Sequence, residues 1–128
     1  MAERRGGVLV RHDGGLRFLP ASQVVGITPC PPISRVPGAP TSLRGIVHTG
    51  GEIVPVVAEG SGADGAASPL IVCRYLGEPI GLLGYEIVGT GMFDVDASVP
   101  TLDLAPTFAT LRSARWMPLG PRPREDHG

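Results

Sequence analysis

Residues 35–57 read RVPGAPTSLRGIVHTGGEIVPVV, two apolar runs set off by proline and glycine. A tight turn at Pro37-Gly38-Ala39-Pro40 leads into an apolar run from Leu43 to His48. Thr49-Gly50-Gly51 interrupts it, and Glu52 to Val57 is a second run of the same kind. Two β-branched runs joined by a glycine turn predict a β-hairpin. Pro55 has no N–H to give to a ladder, so it is expected at a sheet edge or a bulge. The stretch is rich in shape-setting residues and poor in catalytic ones.

The same pattern repeats on both sides. Val8 to Val10, the cluster HDGG at 12–15 and then LRFLP predict a hairpin turning at Asp13–Gly15. SQVVGIT is another β-rich run, ending at PCPP (29–32), where three prolines exclude helix and favour a rigid extended corner. GSGADGAAS (60–68) is expected to be a mobile surface loop. PLIVCRYLGEPIGLLGYEIVG predicts a third hairpin: a strand through Tyr75, a turn at Gly77-Glu78-Pro79, and a strand from Ile80 onward. Beyond Gly91, FDVDASVP reads as an acidic turn region and APTFATLRSARW as a short helix or an irregular segment. Trp116 and Met117 either close the core or anchor a partner, and residues 121–128 (PRPREDHG) are expected to form a disordered tail.

At 128 residues, 42% apolar and 18% charged, the chain suits one compact domain, expected over residues 1–120. Its 19 glycines and 14 prolines punctuate apolar runs without repeating, which favours short strands over long helices. The formal net charge is -1, a balance from which no nucleic-acid footprint is expected, and every Lys/Arg position is an arginine. No apolar stretch approaches a membrane span, and MAERRGG is not followed by the apolar core of a leader. Cys30 and Cys73 are expected to be free thiols, which suits the cytoplasm.

A search for chemistry finds little. No glycine-rich phosphate loop follows a strand, and His12, His48, Cys30 and Cys73 lack metal-ligand spacing, so no cofactor is implied. Asp94 and Asp96, with Asp103 nearby, read as a solvated acidic rim and not as an acid–base pair. Ser22, Ser34 and Ser42 stand in no nucleophile-elbow context. Arg35 and Arg44 flank the VPGAP turn and can present planar cations to a partner carboxylate.

The succession LPASQVVGI, a proline corner, I-x-x-VPGAP, LRGIV, GGEIVPVV and PLIVCRYLGEPIGLLGYEIVG resembles the CheW-like family of chemotaxis coupling proteins. The resemblance runs from Val8 to Gly89, ungapped between Leu19 and Val57. It implies an all-β fold: two small interleaved SH3-like β-barrels, five-stranded in the family, around a shared core. It also implies a non-enzymatic adaptor, bridging the cytoplasmic tip of a chemoreceptor (methyl-accepting chemotaxis protein) to the regulatory domain of a CheA-type histidine kinase. Carried over by position, the receptor-side face would comprise Arg35, Val36, Arg44, Gly45, Ile46, His48 and Gly50. The kinase-side face would comprise Glu52, Val54 and Val56.

The chain departs from the family pattern at telling places. Where the family reads NLRG, this sequence has His48-Thr49-Gly50-Gly51, so a glycine replaces an arginine that often engages receptor. Gly26 replaces an acidic residue, Ala58 followed by Glu59 replaces an aspartate, and Gly84-Tyr85 stands where VxD is usual. The family's last hairpin is not recognisable, so the C-terminal part is expected to be truncated or atypical. The open edge would then be exposed, covered by a segment such as TFATLRSARW, or paired with a partner. Only one of the two usual contacts is expected to persist, and the alternative is a regulator that sequesters or insulates pathway components.

Overall fold

The computed structural model describes residues 3–12, 14–38, 43–58, 69–95 and 98–113. The expected loop at 60–68, Trp116, Met117 and the expected tail at 121–128 lie outside the described residues, as do Asp13, Ala39, Pro40, Glu59 and Asp96.

Eight strands and one helix follow in order: β1 (Glu3–His12), β2 (Gly15–Pro20), β3 (Val24–Pro29), β4 (Leu43–Thr49), β5 (Glu52–Ala58), β6 (Pro69–Tyr75), β7 (Glu78–Leu83), β8 (Glu86–Val95) and α1 (Ala105–Ser113). They form a three-stranded sheet ordered β2-β1-β8 and a five-stranded sheet ordered β3-β6-β7-β5-β4. The chain starts in the first sheet, builds the whole of the second, and returns with β8, so the two units interleave. The all-β class is as expected, while the described strands divide three and five.

The three predicted hairpins are present as β1–β2, β4–β5 and β6–β7. Three details differ from expectation, the first being that the strand expected from Ile80 onward breaks at Gly84–Tyr85 into β7 of one sheet and β8 of the other. The β6–β7 turn is Leu76–Gly77, so Glu78 and Pro79 already belong to β7. And β8 continues through Val95, into the first residues of the expected acidic turn region, because β1 extends far enough to pair Arg5 with Phe93 and Arg4 with Asp94.

Pro55 does not lie on an edge strand, since β5 runs between β4 and β7. The parallel β5–β7 ladder has only three pairs, Val56↔Gly81 to Ala58↔Leu83. Pro55 in β5 and Pro79 in β7 both precede that ladder, so neither missing N–H interrupts it.

Both faces of the five-stranded sheet are buried. One face carries Leu43, Val57, Ile71, Cys73, Ile80 and Leu82 against Val8, Val10 and Leu19 of the other sheet, with Leu104 and Leu111 closing the same core. Its other face gathers Val47, Val54, Val56, Leu70, Val72 and Leu83 under Cys30 and Ile33. Continuous apolar runs, instead of alternating ones, follow from this double burial.

The C-terminal part solves an edge problem. Phe18 donates its N–H to the Pro100 carbonyl (2.9 Å) and accepts from Leu102 N–H (2.8 Å), so residues 100–102 cover the outer edge of β2. Asp103 Oδ1 accepts from Ala105 N–H (3.0 Å) at the head of α1, which the sequence allowed as a helix. Leu104 and Leu111 then plug the core, while the outer edge of β8 has no strand beside it among the described residues.

Candidate interaction surface

The predicted receptor-side residues fall into two places along β4. Ser34 and Ile46 exchange both backbone hydrogen bonds (2.9 and 2.8 Å) in an antiparallel bridge. That bridge sets Arg35 and Val36 alongside Arg44 and Gly45. Arg35 is exposed, Val36 packs against the larger core, and Ile46 is half-buried. Arg44 is the extra residue of a bulge, since Leu43 faces Val57 and Gly45 faces Val56. Gly45 is fully enclosed: a Cβ there would lie 2.3 Å from the Ser34 carbonyl oxygen, and φ is +149°.

His48 and Gly50 sit at the other end of the strand, both exposed. Gly50–Gly51 (φ +59° and +79°) forms the β4–β5 turn. Because β5 and β7 are parallel neighbours, this turn and the Leu76–Gly77 turn lie at the same end of the sheet. Glu52 joins the two, its Oε2 accepting from Arg74 Nη2 at 2.6 Å. Ile53, next in sequence, is 44% exposed.

Of the expected kinase-side residues, Glu52 is therefore at the surface, half-buried in its ion pair. Val54 and Val56 are not: both are fully buried in the smaller core. Strand alternation normally sends every second residue outward, but a sheet buried on both faces leaves no outward valine in this run. The surface at this end is offered by residues that the sequence reading passed over, namely Ile53, Arg74 and Leu76. A signal existed for the last, a leucine directly before glycine in a two-residue turn.

Among the described residues no three His, Cys, Asp or Glu side chains cluster as metal ligands would. Burial pushes the Cys73 thiol up to about 12 and raises that of Cys30 as well, so neither is an activated thiolate. Asp94 is engaged by Arg4 at 3.3 Å on the surface. No described helix is long and apolar enough to cross a membrane.

An all-β arrangement of two interleaved sheets with exposed hairpin ends has the build of a docking module. Residues 6–106 match the CheW-like domain family, and the chain belongs to that family. Its members are non-enzymatic scaffold and adaptor proteins of chemotaxis signalling, and that general role holds for this chain. Among solved structures it is similar to the scaffolding protein TtCheW of Thermoanaerobacter tengcongensis, with a TM-score of 0.62 and 21% identity over 74% of this chain and 68% of that one. No curated protein matches it in sequence.

Proposed function

We propose that this chain is a cytoplasmic chemosensory adaptor that binds the regulatory domain of a CheA-type histidine kinase and has lost most of its hold on the chemoreceptor tip. The observation that carries this reading is the β4–β5 turn. His48 and Gly50 stand where the family pattern has asparagine and arginine, and both face solvent. A glycine offers no charge-assisted hydrogen bond, which is worth about 1.5–3 kcal/mol at a desolvated contact. Residual receptor contact then rests on Arg35, Val36, Arg44 and Ile46, while the buried Gly45 only lets the Ser34 bridge close. The kinase contact rests on the turn end with Glu52. Neither nucleic acid nor membrane insertion has a part in it, and residues 1–120 act as one domain.

The test is to titrate the purified chain with a receptor signalling tip and with a kinase regulatory domain in separate experiments. Submicromolar binding to the regulatory domain with receptor binding at least about tenfold weaker supports the reading. Binding to neither overturns it. A second reading, an insulator that occupies the kinase without bridging it, draws on the same missing arginine. In a reconstituted receptor–kinase assembly the insulator lowers kinase activity on addition, whereas an adaptor sustains it.

A further inference from the structure

Two turns with the same backbone stand side by side at one end of the five-stranded sheet. Gly50–Gly51 has φ of +59° and +79°, and Leu76–Gly77 has φ of +52° and +83°. Both follow the type I′ pattern, which requires the left-handed region at both positions. Glycine enters that region freely, and asparagine or aspartate tolerates it through local hydrogen bonding, but leucine has neither advantage. Leu76 is the one described non-glycine residue with positive φ.

Burial does not compensate. Leu76 is 75% exposed, the highest value among the large apolar side chains described. A leucine here is thus unfavourable twice, in backbone strain and in wetted apolar surface, while the neighbouring turn shows the unstrained solution. The turn is also held rigid from both flanks. Arg74 donates from Nη1 to the Gly77 carbonyl at 2.9 Å and from Nη2 to Glu52 at 2.6 Å. Tyr75 packs its ring on Phe108 of α1, centroids 5.1 Å apart. Strain that persists in an overdetermined, exposed position points to function.

We infer that Leu76 is a preorganised docking knob that inserts into an apolar, leucine-sized socket on the kinase regulatory domain, at the expense of the stability of the free chain. The occupant is a protein surface of low charge. Arg74, two residues before the knob, is already paired with Glu52, and Glu78, two residues after it, is acidic, so the tip has an apolar centre with no unpaired cation beside it in the turn. An anionic partner such as a lipid surface or a nucleic acid would need unpaired cations around the tip. Because the turn is braced before binding, little ordering entropy is lost on contact.

This inference rests on the kinase contact proposed above, and its test separates the two. Leu76→Gly copies the neighbouring turn, and Leu76→Asn keeps side-chain bulk without apolar character. Both variants are expected to raise the melting temperature, by about 3 °C, while weakening binding of the purified regulatory domain by about tenfold or more. Receptor-tip binding should not change. If the unmodified chain fails to bind the regulatory domain, the functional reading itself falls. If it binds and both variants bind equally well, or if both lose stability, the knob is overturned.

Discussion

Gly45 lies flat against Ser34: a Cβ built on the glycine would meet the serine carbonyl oxygen at 2.3 Å and the Ile33 side chain at 2.6 Å. The contact lets the segment after β3 run along the free edge of β4, and it holds Arg35 next to Arg44. Gly45→Ala should therefore destabilise the domain by at least about 2 kcal/mol, since both the close approach and φ of +149° reject a side chain. Chemical denaturation would show this as a lower midpoint with unchanged slope. A midpoint within error of the unmodified chain would refute the packing described here.

Helix α1 stands where a closing hairpin was missed, and its contribution can be measured. Leu111 is fully buried in the larger core with Leu104. Leu111→Ala should cost about 2–5 kcal/mol, as for other large-to-small core changes. A loss below about 1 kcal/mol in thermal or urea unfolding would mean that the helix merely rests on the sheets.

Cys73 makes stability depend on alkaline pH. Unfolded, its thiol ionises near 9.0, whereas burial in the fold pushes it up to about 12. Below 9 both states keep the proton and the contribution is fully present. Above 9 the unfolded chain releases it while the folded chain does not, so stability is lost as pH rises toward 12, by at most about 1.4 kcal/mol per unit. Urea melts between pH 8 and 10.5 should give a shallower decline for Cys73→Ala than for the unmodified chain. Parallel declines would remove Cys73 as the cause.

Arg35 is exposed beside the half-buried Arg44. Charge reversal by Arg35→Glu is expected to reduce whatever receptor-tip binding remains by about fivefold or more, with regulatory-domain binding unaltered. Calorimetric titration of both partners checks this, and an equal loss for both would show that the two contacts share one surface.

Surface ion pairs should matter least. Arg4 and Asp94 are 64% and 67% exposed, and at 3.3 Å the pair is solvated and screened. Asp94→Asn is predicted to change stability by less than about 0.5 kcal/mol in a denaturant titration. A larger effect would imply that the end of β8 is more enclosed than the fold indicates.

Much of this was legible in the chain. The glycine turns at 14–15, 50–51 and 77, with the apolar runs around them, marked all three hairpins, because turn chemistry and strand patterning act within a few residues. The family followed from the order of those motifs. The placement of Val54 and Val56 did not follow, since an unbroken apolar run looks the same whether one face of a strand is covered or two.

Local patterning along the chain was enough to place the three hairpins and to define the kind of protein this is. Long-range packing settled the rest: residues 100–102 seal β2, Ser34 meets Ile46, and a parallel pairing of β5 with β7 brings Gly50 and Leu76 to one end. Those contacts join residues far apart in the chain, and their free energy comes from burial and hydrogen bonding between segments that no local preference specifies.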